Sequence, residues 1–172
     1  MFGLGRIFDV GSCIMPVADI AAGANTGHRV HMRNYDTLAV VFAKGVASAG
    51  TDNVVLSLWE HNVASAGTPV ALPVITDIFI KAETSPMDGD EAWTRVTQTA
   101  GASVTLAGAT YAAMQSIVVF EVQSQSLSAG YEWLSVDIAD PGTGGTIPGT
   151  VLFIPHGLKI QRRPDLLAQP NA

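Results

Sequence analysis

Along most of this chain apolar side chains recur at every second position, the period of a strand with one buried face. In NVVLSLWEH, Val54, Leu56 and Leu58 fall on one face and Ser57, Trp59 and His61 on the other. In SIVVFEVQS, Val118, Phe120 and Val122 oppose Ile117, Val119, Glu121 and Gln123. In EWLSVDIAD, Leu134, Val136 and Ile138 oppose Trp133, Ser135 and Asp137. The pattern predicts further strands at 37–44 (TLAVVFAK), 76–83, 94–98, 103–107 and 150–155, with a shorter one at 28–33 (HRVHMR). Glycine or aspartate marks the connections KGVASAGTDN, NVASAGTP, SPMDGDEA, LSAGY and DPGTGGTIPG. No segment sustains a 3.6-residue period with caps at both ends, and the best helical candidate, GATYAAMQ, spans about two turns. About eight or nine short strands at turn-punctuated spacing predict an all-β fold, an antiparallel two-sheet sandwich of jelly-roll type.

The hexapeptide VASAGT occurs twice, at 46–51 and 63–68. Each copy follows a predicted strand and ends near a glycine able to take the positive φ of a tight connection. The sequences that follow differ, and a solenoid needs about three or more stacked units. The pair is therefore read as two similar turns. Gly- and Ala-rich ends flank the strands, giving an N-terminal arm (1–27), a sandwich domain (28–157) and a C-terminal arm (158–172).

Composition changes the picture in one direction. Charged residues make up 14% of the 172, against about 25% in ordinary soluble domains, and mean hydropathy is +0.30. Part of the surface is expected to be covered by a partner. The net charge of -6 argues against a nucleic-acid partner. Asp9, Gly11, Pro16 and Asp19 interrupt the apolar N-terminal run, so it reads as no signal peptide, and no run suits a membrane-spanning helix. Cys13 is the single cysteine and can form no intrachain disulfide.

The search for chemistry leaves little. No serine sits in a Gly-x-Ser-x-Gly elbow. Cys13 as a nucleophile would need His28, His31, His61 or His156 as its base, and a lone cysteine in an apolar run reads better as a buried small hydrophobe. On a strand, His28 and His31 point to opposite faces, which suits no shared metal. MDGDEAW holds Asp88, Asp90 and Glu91 without the order of an EF-hand loop, and reads as an acidic hairpin tip. DPGTGGTIPGT lacks the Gly-Lys-Ser/Thr ending of a phosphate loop. The expectation is a protein without catalytic residues, metal or cofactor.

What remains are interaction residues. Arg29, His31 and Arg33 form a positive stripe that is either solvated or docked on an acidic neighbour, and Arg162 and Arg163 add charge near the C-terminus. Trp59 and Trp133 fall opposite their strands' aliphatic residues, and Trp93 opens another strand. Such aromatics suit a subunit contact, or the sugar-stacking face of a carbohydrate-binding module.

RNYDTLAVVFAKGVASAGTDNVVLSLWEHNVASAGTPV, then SIVVFEVQSQSLSAGYEWLSVDIADPG, then GTVLFIPHGLKIQ together resemble the jelly-roll capsid decoration, or cement, proteins of tailed bacteriophages. The likeness spans roughly residues 34 to 160 in order. It departs at Trp59-Glu60-His61, where the family pattern has a Gln-Ala-like strand end. The resemblance implies a structural virion protein on the capsid surface, made in the host cytoplasm. Its partners would be the major capsid protein and copies of itself, as a homotrimer, with no nucleic acid and no membrane. A tail or head-to-tail connector component is the second virion reading.

Overall fold

The structure is a computed structural model that describes residues 3–50, 52–84, 86–142 and 145–167. Thr51 of the first VASAGT copy, Ser85, Thr143 and Gly144 of two predicted connections, and both extreme ends of the predicted arms lie outside the described residues.

Eleven strands form among the described residues. They are β1 (Gly11–Val17), β2 (Val30–His31), β3 (Tyr35–Lys44), β4 (Val54–His61), β5 (Val70–Ala71), β6 (Ile75–Glu83), β7 (Thr94–Gly101), β8 (Ser103–Leu106), β9 (Gln115–Gln123), β10 (Trp133–Ile138) and β11 (Gly149–Leu158). Two antiparallel sheets result: a six-stranded one in the order β1-β11-β3-β9-β6-β7, and a five-stranded one in the order β2-β10-β4-β5 with β8 also on β4. The pairings β1 with β11, β2 with β10, β3 with β9 and β4 with β8 are those of a long hairpin rolled into two sheets. That is the jelly roll. The segment β5–β7 is inserted between the inner strands, where β6 and β7 widen the larger sheet and β5 continues along the edge of β4 past β8.

The predicted alternation sets the core. Leu38, Val40 and Phe42 of β3, Val118, Phe120 and Val122 of β9, and Val151 and Phe153 of β11 meet Leu56, Leu58, Leu134, Val136 and Ile138 across the sandwich, all essentially buried. HRVHMR is a strand over two residues only, because a 3-10 turn at Met32–Asn34 ends it. GATYAAMQ yields a single helical turn, α1 (Gly108–Tyr111).

The segment read as an N-terminal arm is built into the sandwich. Its β1 pairs with β11, and Cys13, Ile14 and Ile20 lie in the core. Two register shifts and Pro16 hide the strand's period from a sequence pattern. Ahead of β1, residues 3–8 form a hook in which Phe8 bridges to His156. On the C-terminal side β11 runs to Leu158, and the chain then folds back. Lys159 N–H donates to Asn34 O (3.0 Å) and Arg162 N–H to Gly5 O (2.8 Å). The described segments nearest the two ends, around Gly5 and Arg162, therefore pack together at one end of the sandwich.

Both VASAGT copies are turns. In the first, Gly50 has φ 81 and Ser48 N–H bonds Thr146 O at 2.9 Å. In the second, Ala66 (φ 59) and Gly67 (φ 73) are left-handed in succession.

Candidate interaction surfaces

The predicted positive stripe breaks up. Arg29 Nη1 donates to Val63 O at 2.8 Å, which ties the second VASAGT turn to the outside of the smaller sheet. The 3-10 turn displaces Arg33 from the strand, yet His31 and Arg33 converge on Glu132, with His31 Nε2 at 3.1 Å and Arg33 Nε at 4.0 Å. These contacts hold the Glu132 carboxyl below the usual range, the hydrogen bond to His31 contributing most. His31 also stacks on Trp133, ring centroids 4.2 Å apart and planes 14° from parallel. The acidic neighbour of the stripe is thus within the chain.

Trp59 and Trp133 lie on the outer face of the five-stranded sheet, where register sets Trp59 beside Ser135 and Trp133 beside His61. Trp93 lies against Phe79 and Val119 on the outer face of the six-stranded sheet. The three tryptophans do not share a platform.

On the same face as Trp59, His61 Nε2 sits 2.8 Å from Ser135 Oγ, the spacing of a base and a nucleophile. Ser135 is only 2% exposed, so a substrate has no approach to it. His61 Nδ1 has no partner among the described residues, and a base of this type needs an orienting group there. Neighbouring Glu60, on the opposite face, accepts Ser128 N–H at 2.8 Å. Burial, reinforced by the charge of Arg29 and opposed by Glu60, pushes the His61 imidazole down to about 4. The pair is buried and neutral at physiological pH. Asp137 on this face accepts Gly27 N–H at 2.9 Å, and burial raises its carboxyl.

Cys13 is 1% exposed, its Sγ donates to Val136 O at 3.2 Å, and burial pushes its thiol up to about 12. It is a core residue, as the sequence suggested. Lys44, 5% exposed, is a feature the sequence reading missed. Its Nζ donates to the carbonyls of Gly45, Tyr111 and Met114 at 2.8 Å each, fixing the loop after α1 to the end of β3.

The acidic tip lies between β6 and β7. Glu83, Asp88, Asp90 and Glu91 place carboxylate oxygens within 4.8 Å of one another, and Asp88 N–H donates to Glu91 Oε1 at 2.8 Å. Burial first, then the neighbouring carboxylates, raise the Glu83 carboxyl.

Two surfaces expose apolar groups in quantity. At the end where the termini meet, Ile7 (67%), Val10, Ile160 and Leu166 (58%) are exposed. Arg162 is exposed near them, and Arg163 pairs with Asp165 at 2.5 Å. The other surface is the outer face of the six-stranded sheet, where half-buried Leu152, Val41 and Val119 stand beside exposed Phe79 across four strands. That face was legible in principle: LAVVFA, IVVF and VLFI are apolar at both parities, the mark of strands covered on both sides.

No family model and no curated protein matches this chain.

Proposed function

We propose that this chain is a non-catalytic structural protein of a tailed-bacteriophage virion that decorates the capsid exterior and stabilises it by binding the major capsid protein. The observation that carries this reading is the meeting of the segments around Gly5 and Arg162 at one end of a jelly roll, with Ile7, Val10, Ile160 and Leu166 held out to solvent. Groups of this kind are costly to leave in water and gain when a flat protein surface covers them. The sequence resemblance supplies the identity of that surface.

The mechanism is mass action. A protein that binds the assembled shell and not its free subunits shifts the equilibrium toward the shell. Many copies, each making a modest contact, together hold neighbouring subunits against separation. The contact is rigid, because hydrogen bonds already fix the hook and the returning C-terminal segment on the sandwich.

The test is sedimentation of the purified protein with shells assembled from the major capsid protein of the same phage. Wild type is expected to comigrate with shells and raise their melting temperature. The triple variant Ile7→Asp, Ile160→Asp, Leu166→Asp alters only exposed positions, so it is expected to fold normally and lose at least tenfold in shell binding. Equal binding by the variant removes the ends as the contact, and failure of wild type to comigrate removes the capsid reading.

A further inference from the structure

The net charge of -6 is unevenly placed. β3 runs about 30 Å from Tyr35 to Lys44, and strand register fixes what lies at each end. At the Lys44 end, Lys44, Ser116 and Ala82 share a row, with Glu83 and Gln115 just beyond it. The tip between β6 and β7 therefore sits there, and its Glu83, Asp88, Asp90 and Glu91 pair with no cation among the described residues. At the other end Leu158 pairs with Tyr35, and Lys159, Arg162 and Arg163 follow. Arg6 joins them, because Arg162 N–H donates to Gly5 O at 2.8 Å. The molecule thus has an acidic end and a basic one.

The basic end does not balance itself. Lys159 lies 3.8 Å from Asp36, and Arg163 pairs with Asp165, but Arg6 and Arg162 are exposed and have no acidic partner among the described residues. Both stand among the exposed apolar groups: Arg6 precedes Ile7, and Arg162 lines a crevice with Ile160 and Leu167. Gly5 allows the two segments to touch, since at its φ of 78 a Cβ would collide with the Arg162 carbonyl. A surface that covers Ile7, Ile160 and Leu166 therefore strips water from these two guanidinium groups as well. A guanidinium keeps its charge. Covering it without an acceptor is costly, whereas a carboxylate meets its forked donors with paired hydrogen bonds.

We infer that the shell surface receiving this end is acidic, with carboxylates placed to meet Arg6 and Arg162 around an apolar centre that takes Ile7, Ile160 and Leu166. The inference rests on the capsid reading and adds to it the chemistry of the partner surface. Such a surface repels the acidic tip at the far end, so the same separation of charge turns an approaching chain to present its basic end.

The test is binding of the full chain to assembled shells at about 50 and about 300 mM NaCl. Wild type is expected to bind at least tenfold more weakly at the higher salt, whereas a purely apolar contact is not weakened by salt. The double variant Arg6→Gln, Arg162→Gln is expected to bind at least tenfold more weakly than wild type at the lower salt and to lose little more at the higher. Lys81→Gln, near the acidic end, is expected to match wild type, and circular dichroism checks the fold of each. If wild type binds equally at both salts and the double variant matches it, the contact is uncharged: the inference falls and the capsid reading stands. If wild type sediments with shells at neither salt, the capsid reading falls and takes the inference with it. Sedimentation equilibrium of the chain alone at the lower salt covers the rival occupant. Self-association that the two arginine substitutions abolish puts the acidic tip of a second copy in place of the shell and overturns the inference.

Discussion

His61 owes its low proton affinity to position. It ends β4 on the outer face of the smaller sheet, 5% exposed, with the charge of Arg29 nearby and its Nε2 on Ser135. In the unfolded chain an imidazole takes its proton near pH 6.5, and in this fold only near 4. The unfolded state therefore binds more protons between those values, so this residue's stability is fully present above about pH 6.5 and is lost as pH falls toward 4. At pH 5 the loss from this one group is about 2 kcal/mol, an upper figure for a single imidazole. Urea unfolding at pH 7.5 and pH 5.0 checks it: His61→Gln is expected to be less stable than wild type at pH 7.5, with a smaller drop on acidification. Equal drops in the two proteins mean that other groups carry the acid sensitivity. Little of this was legible in the sequence, which assigned His61 a face but not its burial. The nearby charge comes from Arg29, 32 residues earlier, and the partner, Ser135, lies 74 residues away. The same holds for His31 and Arg33, whose partner Glu132 is set by the β2–β10 register.

The strands show which patterns carry information. β4, β9 and β10 were readable because one face is buried and period-2 alternation follows directly. β1 was not, because GSCIMPV bends through two register shifts and sets Cys13 and Ile14 side by side in the core. A two-residue element such as β5 offers no period at all. The acidic tip and both VASAGT turns were readable from local turn chemistry. The second turn nevertheless contains a strained choice, since Ala66 occupies a left-handed conformation (φ 59) directly before Gly67 (φ 73). A left-handed alanine costs about 1–2 kcal/mol, and glycine in its place gives back about 0.4–1 kcal/mol through a more flexible unfolded chain. Ala66→Gly is therefore expected to stabilise the protein by about 0.5–1 kcal/mol, read as a shift in the urea midpoint at unchanged slope. A loss of stability shows that the alanine methyl makes a contact outweighing its strain.

At the scale of the molecule, the question is where the folding unit begins. The sequence placed the boundary at residue 27, on composition, and composition cannot see that β1 closes the outermost pair of the rolled hairpin. Without β1 the outer edge of β11 is bare, Val151 and Phe153 lose cover, and Cys13 and Ile14 leave the core. Each buried aliphatic side chain contributes about 1.5–3 kcal/mol, so the loss reaches about 5 kcal/mol or more, a large part of the roughly 5–15 kcal/mol that holds an ordinary domain together. The hook before β1 is different: residues 3–8 add exposed or half-buried side chains, one bridge to His156 and the Gly5 carbonyl that Arg162 N–H meets. Asp9 marks the limit, because its carboxylate accepts the buried Tyr35 hydroxyl at 2.8 Å and its N–H bonds Pro155 O. A chain starting at Asp9 is expected to unfold cooperatively with a melting temperature within a few degrees of the full protein. A chain starting at Ala18 is expected to lose its near-ultraviolet circular dichroism and its cooperative transition. If the shorter chain melts like the longer one, β1 is an appendage to the sandwich and the boundary read from composition is the physical one.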